Sequence, residues 1–373
     1  MKKISLKKVK KKMLMLLFIL CAIALLIILT VAFFRVRNSL RSKIDTDLGI
    51  QENTYVTIGG IEQYLQIRGK DRNNPIILWL HGGPGFPLTY LTYYYQTPLE
   101  KDYTIVCWEQ RGCGRTFYKN KGDNHLNIEQ LLSDTDEMID YLRECFDQEK
   151  IIIIGQSWGT VLGMDYINIH PEKVSAYIGV GQVTDFSQGK IYAAESAIQM
   201  AMKNGSNEDA EYLESCIEQL SKTESIEKLD VKSLEKMIIT STKYLKCNGE
   251  MSGIEQIFAA ITSPEMSWND ARWFLFASDT QNIIASQNDL VDYMYFQFDI
   301  TDLSEDYNIP ICFIQGDSDW ITPTDMVVDY YSRISAEKKE MVTINNAGHT
   351  PFLDDPEQFC KAVKDFLSEC ENK

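Results

Sequence analysis

Hydrophobic and polar positions divide the chain into distinct regimes. Residues 13–34, MLMLLFILCAIALLIILTVAFF, are apolar except for Thr30. A helix of this composition has no polar face. At about 1.5 Å per residue it reaches roughly 33 Å, enough to cross the hydrocarbon core of a bilayer. Residues 35–52 turn polar and read as a linker. Then Thr54 to Ile58 and Ile61 to Ile67 alternate around Gly59-Gly60, the signal of a hairpin closed by two glycines. Short apolar runs follow at PIILWL (75–80), Tyr103 to Trp108, Ile151 to Ile154 and Val174 to Val180. The four consecutive isoleucines predict a strand covered on both faces, as in a parallel sheet between helices. Between these runs, Ile128, Leu131, Leu132, Met138, Ile139, Leu142 and Phe146 recur at helical spacing over 128–146.

From about Phe186 to Asp299 the strand rhythm stops, and the chain is helical in character, rich in Glu, Met and Tyr. It resumes at IPICFIQG (309–316) and KEMVTIN (339–345), with a last helix from about Pro356 to Glu369. Strands alternating with helices predict an α/β fold with a mostly parallel sheet flanked by helices. The expected organisation is a basic segment (1–12), a transmembrane anchor (13–34), a linker (35–52), a core built from 53–185 and 300–373, and an inserted helical cap (186–299) over the sheet's C-terminal edge.

Charge sharpens this division. Residues 1–43 hold eleven Lys and Arg and no acid, leaving 26 basic against 53 acidic residues and a formal charge of −27 beyond them. So acidic a body argues against nucleic acid or anionic lipid as its partner. Seven lysines precede the apolar run, favouring a single-pass anchor with a cytoplasmic N-terminus and the folded part outside, although Arg35, Arg37, Arg41 and Lys43 on the far side pull the other way. A cleaved signal would have a shorter apolar region and a small-x-small site, which Thr30-Val31-Ala32 matches poorly. Bulky Phe18, Ile19 and Leu20 disfavour lipidation at Cys21. The nine cysteines include no C-x-x-C and no histidine partner, so no zinc site is expected; an exported domain would pair them or live where oxygen is scarce.

The isoleucine strand ends in Gly155-Gln156-Ser157-Trp158-Gly159, a G-x-S-x-G turn that exposes a serine hydroxyl where strand becomes helix. A Cβ at either glycine would crowd the neighbouring helix and strand. A serine nucleophile needs a base, a carboxylate to orient it, and amide donors for the oxyanion. Four histidines limit the choice of base. His170 ends a helix, His125 lies in a polar loop, and His81 opens HGGPG as part of its scaffold. His349, in NNAGHTPF just beyond a strand, is the expected base. QGDSDWITP offers Asp317 and Asp319; Asp319 reaches further beyond the strand and is the expected acid, with Asp317 forming the turn. The order Ser157, Asp319, His349 is that of α/β-hydrolases. The amides of Trp158 and Gly83 are the expected oxyanion hole.

WLHGGPG, WEQRGCGRT, GQSWGT, QGDSDWITP and NAGHTPFLDDPE together resemble the motif series of the proline iminopeptidase branch of the α/β-hydrolase superfamily. The resemblance covers roughly residues 50–185 and 300–370. It implies a serine hydrolase that removes N-terminal residues, often proline, from short peptides without metal or cofactor. It also implies cap glutamates that bind the substrate's free amine, for which Asp289 is a candidate counterpart; Glu109 stands where the family has aspartate, and Phe86 where glycine is common. An esterase or amide hydrolase with the same triad is the alternative, and a silent binding protein of this fold the third reading.

Overall fold

The computed structural model describes residues 6–120, 126–245, 247 and 249–371. Eight strands form one sheet: β1 (Ile50–Ile58), β2 (Ile61–Gly69), β3 (Ile76–Leu80), β4 (Thr104–Glu109), β5 (Ile151–Gln156), β6 (Val174–Val180), β7 (Ile311–Gly316) and β8 (Lys339–Ile344), in the order β1-β2-β4-β3-β5-β6-β7-β8. The first two run antiparallel to their neighbours; from β4 to β8 all pairs are parallel. The β1–β2 hairpin turns on Gly59 and Gly60, whose φ values of +57° and +78° require residues without a Cβ penalty. In β5, Ile151 and Ile153 enter one hydrophobic core and Ile152 and Ile154 the other, so the four-residue run serves both faces. Each such burial contributes about 1.5–3 kcal/mol.

Helices cover the two faces. α2 (Ile128–Phe146) buries Leu131, Met138, Ile139 and Leu142, starts at an Asn127 cap that accepts from the Gln130 amide, and ends at Asp147 in the left-handed region. α3 (Trp158–Ile169) leaves the end of β5. The segment after β6 is helical, as its pattern predicts: α4 (Phe186–Lys203), α5 (Asn207–Ser221), α6 (Val231–Thr242), α7 (Gly253–Thr262), α8 (Trp268–Ala277), α9 (Thr280–Ser286) and α10 (Asn288–Phe296). The first three share a small core around Ala194, Leu213, Leu220, Leu234 and Met237.

Glycine- and arginine-rich motif loops tie this helical segment to the sheet. Arg115, from WEQRGCGRT, donates to both carboxylate oxygens of Asp270 in α8 at 2.9 and 2.6 Å and to the Glu265 carbonyl at 2.9 Å. Glu109 lies behind it, accepting from the Arg115 amide and from Thr89 Oγ1, both at 2.5 Å. Burial pushes the Glu109 carboxyl up, Arg115 pulls it down and Asp270 pushes it up again, leaving it at about 7. Trp273 Nε1 donates to the Gly85 carbonyl at 2.8 Å, and Gln287 Nε2 to that of Gly112 at 2.7 Å. Arg111 instead grips Asp134 of α2 at 2.8 and 3.0 Å.

At the N-terminus α1 (Leu6–Arg41) is long and apolar enough to cross a membrane, and the side chains of its apolar run are largely uncovered by protein. The helix does not stop at Phe34. Residues 35–41, expected in a linker, continue it and dock: Arg35 donates to the Met266 carbonyl at 3.0 Å and Asn38 Nδ2 to that of Thr262 at 3.1 Å. Arg68 caps the exit by bonding the Ser42 carbonyl while pairing with Glu100 at 2.6 Å. Five buried thiols (Cys107, Cys113, Cys216, Cys312 and Cys360) form no disulfide, and burial pushes Cys107, Cys113, Cys312 and Cys360 above the usual thiol range. They act as small hydrophobes.

Arg115→Met should cost about 3–5 kcal/mol, because Asp270 and Glu109 would remain buried without their cation. Chemical unfolding of the full-length chain in detergent measures it; a loss below about 1 kcal/mol, the scale of an exposed pair, would show that this network does not hold the helical segment in place.

Candidate functional site

The turn after β5 is strained at one residue. Ser157 has φ +52° and ψ −118°, a conformation that non-glycine residues rarely adopt and keep only where the surroundings over-determine it. Those surroundings are backbone on both sides. A Cβ at Gly155 would collide with the carbonyl of Gly159, and one at Gly159 with the carbonyl of Leu80 at the end of β3. Both glycines of the motif are therefore needed for β3, β5 and α3 to approach this closely. The Ser157 amide donates to the Val180 carbonyl at 2.9 Å, which fixes the turn to the end of β6. Its hydroxyl stands at the N-terminus of α3, where the helix dipole favours negative charge.

HGGPG continues β3 beside this turn. Gly83 has φ +125°, and a Cβ there would strike the amides of Gly85 and Phe86. The loop closes on itself through Phe86 N–H to the Gly82 carbonyl at 3.0 Å. His81 is scaffold: Nδ1–H donates to the Gly82 carbonyl at 2.8 Å and Nε2 accepts from the Gln110 amide at 3.3 Å. Burial lowers its pKa to about 4, so it stays neutral. Gln110 Oε1 in turn accepts from Trp158 Nε1 at 3.3 Å. Among the hydrogen bonds of the described residues, neither the Gly83 nor the Trp158 amide is used.

Asp319 and His349 meet at the same edge. His349 Nδ1 lies 2.9 and 3.2 Å from the two carboxylate oxygens of Asp319. Asp319 is fully buried and also accepts from the amides of Ile321 and Thr322 at 2.9 Å each and from Thr322 Oγ1 at 2.8 Å. Burial pushes this carboxyl up, but the charge of His349 and the hydrogen bonds of His349 and Thr322 outweigh it and hold the group below the ordinary carboxylate value. A carboxylate so placed fixes the tautomer with the proton on Nδ1 and leaves Nε2 as acceptor. Asp317 is exposed and accepts from the amides of Asn346 and Ala347 at 2.9 and 3.3 Å, binding the loop after β7 to the loop that carries His349. The imidazole rests on Gly181, where a Cβ would lie 2.9 Å from its Cε1. Ser157 and His349 thus abut consecutive residues at the end of β6, Val180 and Gly181. In this structure no hydrogen bond among the described residues joins hydroxyl and imidazole.

Asp289 is exposed in the first turn of α10, in a groove with Asn127, Ser225 and Asp292 that none of Ser157, Asp319 and His349 lines. Besides Asp317 and Asp319, two other carboxylates approach the His349 loop. Glu250 reaches within 3.1 Å of where a Cβ on Gly348 would stand and lies within electrostatic reach of His349. Asp354 accepts from the Gly348 and Met251 amides at 2.8 Å each. Glu250 carried no sequence signal, since it sits in a short connection between helices. Asp354 was visible in FLDDPE, but only the fold turns it toward the loop. His170 is a surface residue beside Glu172, and His125 lies outside the described residues. Beside Thr350, a cavity of about 220 Å³ is lined by Phe86, Leu91, Trp273, Phe274 and Leu353. Residues 268–276, WNDARWFLF, thus contribute two aromatic side chains to a pocket that Thr350, the residue after His349, also lines.

Residues 75–201 match the family described as the alpha/beta hydrolase fold. A probable aminopeptidase of Bacillus subtilis (strain 168) is 26% identical over 308 residues, which is 83% of this chain and 93% of that protein. A proline iminopeptidase of Lactobacillus helveticus (strain DPC 4571) is 23% identical over 314 residues, 83% of this chain and 95% of its own length. Among solved structures, a proline iminopeptidase-related protein from Thermus thermophilus superposes with a TM-score of 0.56 at 20% identity, covering 86% of this chain and 98% of its own. The chain has the α/β-hydrolase fold, with the family match confined to residues 75–201, and is similar over most of its length to a probable aminopeptidase and to a proline iminopeptidase.

Proposed function

We propose that the protein is a membrane-anchored serine hydrolase that releases N-terminal residues, proline among them, from short peptides through an acyl-enzyme. The observation that carries this reading is the buried Asp319–His349 pair standing with the strained Ser157 turn at the end of β6. In this mechanism His349 Nε2 takes the proton of Ser157 as Oγ attacks the scissile carbonyl. Asp319 keeps the imidazole oriented and stabilises its charged form. The Gly83 and Trp158 amides receive the oxyanion, each worth about 10²- to 10³-fold in rate. The proton on Nε2 then passes to the leaving amine, and water repeats the sequence to free the acyl group. Glu250 and Asp354 supply negative charge beside the His349 loop for a free substrate amine, the role that Asp289 was expected to fill. α1 holds the enzyme in the membrane, with the catalytic part outside the cytoplasm. The apolar cavity at Phe86 and Trp273 favours the second reading, an esterase, to the extent that it fits an acyl chain.

A fluorophosphonate probe should label Ser157, and Ser157→Ala should abolish labelling; a tryptic adduct mapped to another residue contradicts the assignment. Asp319→Asn should lower kcat by about 10⁴-fold with the protein folded, through the wrong tautomer of His349. Its effect on stability has a sign. Because the folded carboxyl lies below its unfolded value of about 3.9, its contribution is full above that pH and is lost as pH falls through the folded value. The stability gap between wild type and variant should close in acid; a gap that widens there would be inconsistent with an ionised Asp319. A panel of aminoacyl-naphthylamides and p-nitrophenyl esters decides between substrates. Cleavage of unblocked prolyl or other aminoacyl amides is expected, and ester turnover without any aminoacyl cleavage would install the esterase instead.

A further inference from the structure

α7 places Ile254, Ile257, Phe258 and Ile261 at i, i+3, i+4 and i+7, and all four are exposed. Ala259 and Ala260 turn inward from the same helix. In α8, Trp268 and Leu275 lie seven residues apart on one side and are 74% and 70% exposed. Phe274 and Phe86, also exposed, frame the cavity beside Thr350. A stripe of this kind on a soluble surface marks an interaction site.

The anchor helix identifies what covers it. Phe34, the last residue of the apolar run, packs edge-on against Phe258 with ring centroids 5.3 Å apart. Arg35, the first basic residue after that run, bonds the Met266 carbonyl in the connection between α7 and α8. The change from apolar to basic residues along α1 therefore falls level with α7, and with it the boundary between acyl chains and headgroups. The body's charge of −27 gives no attraction to anionic lipid, and the charged side chains exposed on these two helices are Glu255 and Arg272. Contact at this face is made by apolar and aromatic groups, with a tryptophan suited to the interface.

We propose that the outward faces of α7 and α8 sit in the headgroup–acyl boundary of the membrane that holds α1. The cavity framed by Phe86 and Phe274 then opens toward lipid, and the enzyme selects substrates carrying an apolar group that partitions into the bilayer. This rests on α1 being a membrane anchor.

The full-length chain in phosphatidylcholine nanodiscs, with and without doxyl-labelled acyl chains, tests it. Trp79, Trp108, Trp158 and Trp273 are buried and Trp320 is partly so, which makes Trp268 the exposed reporter. Doxyl lipid should quench tryptophan emission, and Trp268→Phe should remove most of that quenching. Unchanged quenching in the disc-bound variant overturns the proposal while leaving the anchor intact. Failure of the chain to co-elute with discs refutes the anchor itself, and this surface with it. Quenching relieved whenever two chains share a disc would assign the face to a second copy. The double variant Ile254→Ser/Leu275→Ser should lower hydrolysis of a long-chain p-nitrophenyl ester dispersed in the discs severalfold and leave a soluble short-chain ester unaffected. Equal losses on both substrates would contradict a role in lipid-side access.

Discussion

Everything at the centre of this molecule depends on how closely three backbone segments meet. β5 ends, α3 begins, and the carbonyl of Leu80 at the end of β3 lies where a Cβ on Gly159 would have to go. That contact is possible only with glycine at 155 and 159, and it leaves Ser157 at φ +52°. The strain is local, and the two hydrophobic cores on either side of β5 hold it in place. The same approach brings the first turn of α3 beside the HGGPG loop, since a Cβ on Gly159 would also lie 2.9 Å from the His81 carbonyl oxygen.

A second constraint joins the helical segment to this centre. Glu109 ends β4, Arg115 stands in the segment that follows it, and Asp270 answers from α8. Because these groups are buried, the segment's position is sensitive to each of them in a way that surface pairs would not make it. Gln287 and Trp273 bond carbonyls in the two glycine-rich loops themselves. Movement of α8 and α10 is thereby coupled to the loops around the proposed oxyanion hole. Through Phe258 and Met266 the same segment touches α1, so the proposed membrane anchor and the proposed catalytic edge share one set of helices.

Much of this was legible in the sequence where periodicity or backbone geometry dictates residue type. Period-two alternation around Gly59-Gly60, the isoleucine run and the buried PIILWL and IPICFIQG segments mark strands because a sheet covered on both faces leaves few other uses for them. GQSWG and HGGPG are readable because positive φ and sub-contact approaches admit glycine alone. Asp319 could be separated from Asp317 by its reach beyond the strand, and the structure places Asp319, not Asp317, against His349. The helical segment was readable only as helix. Its pattern carries no register against the sheet, so nothing in it points to Glu250 and Asp354, which approach the His349 loop. The extent of α1 was hidden too, since polar residues 35–41 suit a linker as well as a helix whose one side is docked.

In the proposed mechanism one serine, one imidazole and two amides act on the same carbonyl. A crystal structure of the phosphonylated enzyme tests it directly. Phosphorus is expected on Ser157 Oγ, its terminal oxygen accepting from the amides of Gly83 and Trp158, with His349 Nε2 within about 2.6–3.2 Å of the serine oxygen. An adduct whose oxygen points away from both amides, or an imidazole turned from Ser157 while still paired with Asp319, would contradict it.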